Sequence, residues 1–413
     1  MPHPNLSRVV VVGGSLAAHR AACALRSRGY AGEVIVLGAE NHAPYDRFPL
    51  SKAYLARQLD RTGLDLAPTP PDVTWRLGAT ATGLDLQRRV VRLEGGECLA
   101  FEGLVVASGA RPRDEAAGVS GVFTLRTVDD SEALRHHLDA AQRSLVVVGG
   151  GLIGAELAST AVHEGHDTTL IDGAAVPSIR ALGLPLAEHL LDLHRRAGTT
   201  VLTATRGGAL VTADGAVTGI RLGTGAVVPA DTVVLATGTV PNVDWLSGSG
   251  LATEGGLHCT ATLHAVGAPR DVPVVAAGDV ILAPHALLAG QRLRVESWAG
   301  TLAQADTAVA NLLGEPHRHQ PWVELPTYAT TIHGARIRIV GYPQVADTAR
   351  LLQGSIAEGR ALLVLGRGDR ALAVVSLDEH DELPALTAQL VPGARIGEIS
   401  PGRRVLAPST RRS

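Results

Sequence analysis

The chain has 413 residues, 46% of them hydrophobic and 19% charged, with a formal net charge of −3. That length exceeds one ordinary core, so two or three domains are expected. The small net charge excludes a global attraction to nucleic acid or to a membrane surface, while a local basic patch remains open.

The N-terminal stretch has no basic leader, and no apolar run is long enough to span a bilayer. Neither a signal peptide nor an anchor is expected, and with three scattered cysteines and no disulfide framework a cytoplasmic location is expected. Arg8 to Gly29, "RVVVVGGSLAAHRAACALRSRG", predicts a buried strand, a tight turn and a helix. In place of the three glycines of a G-x-G-x-x-G turn stand Gly13, Ser15 and Ala18. Ser15 adds only a hydroxymethyl group, whose hydroxyl can donate to a phosphate, and alanine is tolerated at the third position. A plain strand–turn–helix competes with a phosphate cradle at this point. The next strand, "EVIVLGAE", ends at Glu40, 27 residues after Gly13, about where an acid meets a ribose.

Residues 40–55, "ENHAPYDRFPLSKAYL", form a charged, proline-stiffened loop containing Tyr45, Asp46, Arg47 and Lys52. The alternative is a solvated loop entering a helix, with Ser51 as cap. Lys52 is the single lysine of an arginine-rich chain. A compact ammonium is not equivalent to a planar guanidinium, so its retention points to a role for a point charge.

Ser144 to Asp172, "SLVVVGGGLIGAELASTAVHEGHDTTLID", repeats the opening pattern with the glycines intact at Gly149, Gly151 and Gly154. Such glycines let backbone N–H groups and a helix N-terminus approach a pyrophosphate. Asp172 lies 23 residues after Gly149 at a strand end. An acid there accepts from a ribose 2′-hydroxyl and repels a 2′-phosphate, and Ala174 and Ala175 offer no cation. NADH is favoured over NADPH, with nearby Arg180 as the counter-indication. Two such units imply two nucleotides.

Segments 103–113, 231–242 and 272–280 are apolar strands running into small-residue turns, the pattern of a parallel sheet with ligands at its carboxyl ends. Beyond Trp322 the character changes. "ARIRIVGY" and "ALLVLGRGDRALAVVSLD" predict antiparallel strands, the second a hairpin turning at "GRGD", and "DELPALTAQLV" a short helix with Pro384 in its first turn. Residues 315–321 are the most linker-like. Cys23, Cys98 and Cys259 are far apart and form no C-x-x-C, so three small buried hydrophobes are expected rather than a redox pair.

Taken in order, the motifs resemble the flavin-dependent ferredoxin reductases of the putidaredoxin-reductase and rubredoxin-reductase type, within the pyridine nucleotide-disulfide oxidoreductase superfamily. The resemblance rests on both glycine turns, Pro44 to Lys52, Ala107 to Pro112, Gly149 to Glu156, Gly238 to Asn242, Ala276 to Val280, Glu296-Ser297-Trp298 and Ala303-Gln304, covering roughly residues 8–315. It implies an α/β fold with two Rossmann-like nucleotide-binding domains, the NAD domain inserted in the FAD domain, and a C-terminal α+β domain. The boundaries expected are 1–115 with 245–322 for FAD, 116–244 for NAD, and 323–413 for the C-terminal domain. FAD would be held by Gly13, Ser15, Leu16, Ala17 and Ala18 at its pyrophosphate and Glu40 at its ribose. Arg47, Lys52, Ala81, Ala107, Ser108, Gly109, Arg111, Gly278, Asp279, Glu296, Ser297 and Trp298 would complete that site. For Asp279 a capping role in the Gly-Asp turn is the alternative, and for Trp298 ordinary core. NAD would be held by Gly149, Gly151, Leu152, Ile153, Gly154, Asp172, Arg180 and Gly238. Lys52 and Glu156 are the implied catalytic pair beside the flavin's reactive edge, the cation stabilising reduced flavin and the carboxylate holding the cation.

The activity implied is transfer of a hydride from NADH to FAD, then of single electrons to an iron–sulfur ferredoxin serving a monooxygenase. The alternatives are an FAD/NADH oxidoreductase acting directly on a small molecule, and an NADH-responsive binding or signalling flavoprotein. Disulfide reductase chemistry is disfavoured, because no cysteine lies in the 40–52 loop. No metal, nucleic acid or membrane partner is expected, and the oligomeric state is not read from sequence. Arg292, Arg294, Arg336 and Arg338 offer a basic face for an acidic partner, although strand-surface solvation explains them equally. Two departures stand out. Phe48 replaces the first proline of the family's P-P-L-S-K loop, and "QPWVELPTYATTIHG" keeps only Trp322 of the family's aromatic F-W-S-D-Q element.

Overall fold

The computed structural model describes residues 6–113 and 118–402. By their contacts these form two compact units, one from residues 6–47, 61–111 and 239–326, the other from 48–60, 112–113, 118–238 and 327–402.

The first unit is built on a five-stranded parallel sheet in the order Val274–Ala276, Gly103–Val106, Arg8–Val12, Glu33–Gly38, Val73–Leu77. Val9, Val10 and Val11 are fully buried, as are Leu104, Val105 and Val106, because helices cover the central strands on their faces. The Leu16–Ser27 helix, rich in alanine, lies against the Trp298–Leu313 helix. Small side chains allow that close approach, and Ala18, Ala21, Ala22, Ala305 and Ala308 are all fully buried. The linker-like stretch at 315–321 is pinned rather than loose. Asn311 donates to the Gln320 carbonyl (2.8 Å) and accepts from its N–H (2.9 Å).

The second unit repeats the doubly wound plan. Its parallel strands run Thr200–Leu202, Asp167–Ile171, Ser144–Val148, Thr232–Leu235, Val122–Phe123. A five-stranded antiparallel sheet follows in the order Thr327–Ile332, Ala335–Gly341, Arg370–Leu377, Arg360–Arg367, Thr348–Ser355. The hairpin expected at "GRGD" joins Arg360–Arg367 to Arg370–Leu377, and Leu383–Thr387 is the short helix started by Pro384. Leu182, Leu186 and Leu190 bury themselves against Ile337, Ile339, Leu363, Leu365 and Val375 of this sheet. That apolar seam makes the sheet and the helices beside the second glycine turn one core.

The cysteine expectation needs correction. Cys259 is buried, and burial pushes its thiol up to about 12, but Cys23 is half-buried and Cys98 is exposed. Cys98 sits on the three-residue strand Cys98–Ala100, where alternate positions face solvent. All three are free thiols. Among the described residues no helix is long and apolar enough to cross a membrane, and no cluster of His, Cys, Asp or Glu could hold a metal ion.

Candidate active site and nucleotide cradles

In the first unit the chain leaves the central strand through Gly13, whose φ of +127° suits glycine. A Cβ there would lie 2.0 Å from the Ala107 carbonyl oxygen, so strand and turn can approach only without it. Ser15 is the N-terminal flanking residue of the Leu16–Ser27 helix, in an extended conformation, and its side chain does not cap the helix. No acid stands in the first turn. The first-turn N–H groups are thus without a side-chain cap, and the positive end of the dipole without an acid, an arrangement that suits an anion.

The loop after Glu40 closes on that cradle. Arg47 Nε donates to Ser15 Oγ (3.1 Å), and the Arg47 guanidinium also pairs with Glu40. The Tyr45 hydroxyl donates to the second Glu40 oxygen (2.6 Å), and the Arg47 guanidinium lies over the Tyr45 ring at 5.2 Å. Glu40, Arg47 and Ser15 thus form one ordered chain of contacts. A carboxylate oxygen carries more than one acceptor site, so Glu40 retains capacity for ribose hydroxyls.

Motifs far apart in sequence are tied together within this unit, and Asn242 and Asp244, expected in the 116–244 stretch, contact Ser108 and Arg111 here. Ser108 and Asn242 exchange hydrogen bonds, each at 2.8 Å, and Arg111 donates to Asn242 (3.1 Å) and pairs with Asp244 (2.8 Å). Gly109 supplies the turn before Arg111 with φ +66°. Gly278 donates its N–H to Gln304 Oε1 (2.8 Å), and the buried Gln304 Nε2 has no protein partner among the described residues. Glu296 accepts from Thr239 (2.5 Å) and pairs with Arg294 (2.7 Å), and Ser297 caps the following helix by accepting from the Gly300 N–H (3.1 Å). Trp298 is 45% exposed, which removes ordinary core as its explanation. Ala81 opens the Ala81–Asp85 strand, half-buried. The orphaned Gln304 amide and the uncapped helix fit a phosphate- and hydroxyl-rich group such as FAD.

In the second unit the three glycines have three different reasons. Gly149, at φ +105°, would place a Cβ 2.4 Å from the Ala236 carbonyl oxygen. Gly154 would place one 1.8 Å from the Gly149 carbonyl oxygen, so it sets how closely the Leu152–His163 helix meets the turn. Gly151 meets nothing within 4 Å: its missing side chain keeps open space above the helix N-terminus. Leu152 is half-buried and Ile153 is 42% exposed on the first turn, which again holds no acid. Asp172 accepts from the Gly150 N–H (2.5 Å) and the Ala174 N–H (2.6 Å), so it organises the glycine turn as well as marking the strand end. Arg180 lies in the short Ile179–Leu182 helix, and Gly238, at φ +100°, follows the Thr232–Leu235 strand. Arg206, which no motif marked, packs its stem beside Gly173.

The same unit contains the expected catalytic pair. Lys52 Nζ lies 2.7 Å from Glu156 Oε2 although 104 residues separate them. Glu156 is 5% exposed, on the second turn of the Leu152–His163 helix. Its carboxylate also accepts from Ser51 Oγ and, on the other oxygen, from Thr330 Oγ1 (2.6 Å). Two hydroxyls and an ammonium thus satisfy a buried carboxylate, the condition for keeping it charged. The Phe48–Ser51 turn that presents Lys52 is pinned by Ser131, which donates to the Leu50 carbonyl (2.9 Å), and by Thr160, which donates to that of Ser51 (2.9 Å). Sequence reasoning offered Ser51 only as a helix cap and missed Thr330. Thr330 lies in the Thr327–Ile332 strand, just after the stretch where the aromatic element was expected, and nothing in its local pattern marks it.

The family model for pyridine nucleotide-disulphide oxidoreductases matches residues 7–311. A probable ferredoxin reductase of Castellaniella defragrans is 32% identical over 388 residues, 92% of each chain. Putidaredoxin reductase of Pseudomonas putida is also 32% identical, covering 91% of this chain and 89% of its own. Among solved structures, a chain in the crystal structure of the covalent putidaredoxin reductase–putidaredoxin complex superposes with a TM-score of 0.85 at 29% identity, over 93% of both chains. The chain belongs to the pyridine nucleotide-disulphide oxidoreductase family.

Proposed function

We propose that this member of the family is an FAD-dependent NADH:ferredoxin reductase of the kind that supplies monooxygenases or dioxygenases, acting in the cytoplasm. The observation that carries the reading is the pair of uncapped, acid-free helix N-termini, each opened by a small-residue turn and each followed by a strand-end acid. The similar relatives, ferredoxin reductases by name, support the choice of acceptor.

When bound, FAD supplies the means to take two electrons from NADH and release them one at a time. The chain's own residues bind and orient. Gly13, Ser15 and the helix they open take the FAD pyrophosphate, Glu40 its ribose, and Arg47, Arg111, Gly278 and Asp279 the remaining polar groups. Gly149, Gly151 and Gly154 take the NADH pyrophosphate, and Asp172 accepts from the ribose hydroxyl. Glu156, held by Ser51 and Thr330, fixes the Lys52 ammonium as a point charge for the flavin ring. The division proposed is FAD domain 1–115 with 245–322, NAD domain 116–244 and C-terminal domain 323–413.

The test begins with colour. The purified protein, reconstituted with FAD, should be yellow and should bleach rapidly on mixing with NADH. It should then turn over with an acidic [2Fe–2S] ferredoxin, more slowly as salt is added. A colourless protein after reconstitution overturns the reading. The departure after Trp322 favours a second one, direct action on a small molecule. Turnover with a metabolite and none with any ferredoxin would establish it.

A further inference from the structure

We propose that Phe48 is a positioning residue for Lys52, clamping its ammonium against Glu156 through the face of the phenyl ring. Lys52 Nζ lies 4.0 Å from the Phe48 ring centroid, well inside the range of a cation–π contact. The same nitrogen is 2.7 Å from Glu156 Oε2 and 3.2 Å from Ser51 Oγ. An ammonium has three N–H donors. The carboxylate and the hydroxyl take two directions, and the ring occupies a third side.

Phe48 is 42% exposed, while Leu50, two residues on, is 2% exposed and anchors the same turn. In the P-P-L-S-K loop of similar reductases a proline stands here, and a proline stiffens this turn through its backbone. In this chain the side chain supplies the restraint instead, and it acts directly on the cation. A held ammonium does not have to be ordered at the moment of reaction, which is the benefit of preorganisation. The catalytic consequence rests on the proposed role of Lys52 toward the flavin, whereas the contact itself does not.

Because Lys52 is the only lysine, protein grown with ¹³Cε-lysine gives a single side-chain resonance, readable with and without FAD. In the FAD-free wild type the ring face shifts the Lys52 ε-methylene signal upfield. Phe48→Leu should return it toward the position of a solvated lysine, and Phe48→Tyr should keep it shifted. In the FAD-loaded protein, Phe48→Leu should slow flavin reduction by NADH by roughly two- to fivefold, the worth of such a contact at a partly exposed site. The KM for NADH should not change, and Phe48→Tyr should restore the rate. An unmoved resonance in Phe48→Leu overturns the contact, and a moved resonance with an unaltered rate overturns the positioning role. If Lys52→Met itself reduces flavin at the wild-type rate, the failure lies with the reading of Lys52, and the resonance alone decides the clamp.

Discussion

Lys52→Met removes the cation from a carboxylate that is 5% exposed. Breaking a buried pair by deleting one partner costs ~3–5 kcal/mol, because the other charge is left buried. Here Ser51 and Thr330 still donate to Glu156, each bond to a charged group being worth ~1.5–3 kcal/mol, so the low end, about 3 kcal/mol, is expected. In a unit of 150–250 residues each kcal/mol moves the Tm by roughly 2–4 °C, so a fall of about 6–12 °C should appear in calorimetry of the FAD-free protein. The double variant Lys52→Met/Glu156→Gln carries no buried charge. It should recover about 2 kcal/mol of the loss, because no charge is left buried and unpaired. In FAD-loaded protein, Lys52→Met should retain its flavin and reduce it more slowly with NADH. Equal unfolding temperatures for the single and double variants would show that the unpaired Glu156 carboxylate carries no buried-charge penalty and would refute the account of Glu156 as a buried, charged anchor.

Gly154→Ala drives a Cβ to 1.8 Å from the Gly149 carbonyl oxygen. The turn must move at a cost of ~1–3 kcal/mol, so NADH affinity by titration should fall about 10- to 100-fold while FAD content stays unchanged. Asp172→Ala removes the acceptor for two N–H groups of the glycine turn and the repulsion of a 2′-phosphate. Its kcat/KM ratio for NADH over NADPH should drop, and an undiminished ratio would remove Asp172 from coenzyme choice. The second unit should also lose stability in mild acid. Burial lowers His194 to about 3 and His333 to about 4, and His333 Nε2 lies 2.8 Å from His194 Nδ1. Unfolded histidine titrates near ~6.5, so between there and the folded values the unfolded state binds more protons. Stability is then full above about pH 6.5 and falls as pH drops toward 4 and 3. Urea midpoints at pH 7, 5.5 and 4.5 should show this slope, and His194→Gln should flatten it; identical slopes would exclude the pair as its source.

Much of the design is written locally. Runs such as Val9 to Val12 and Leu145 to Val148 specify strands buried on both faces, and glycines at fixed intervals after them specify turns that bare a helix N-terminus. These features depend on residues a few positions apart, so the sequence by itself determined two strand–turn–helix units with open helix N-termini, the acids Glu40 and Asp172 after the next strands, and the C-terminal hairpin. It also singled out Lys52, through its being the only lysine. Tertiary structure alone decided how the charges are satisfied. Thr330 reaches Glu156 across 174 positions and Ser51 across 105. Tyr45 and Arg47 fold back onto Glu40, and the Phe48 ring settles over Lys52. A hydroxyl on a strand or an aromatic in a loop leaves no periodic trace, since its partner is chosen by sheet register and helix packing rather than by spacing along the chain. Exposure follows the same rule: Cys98 on an edge strand and Trp298 at the start of its helix face solvent, which composition does not encode.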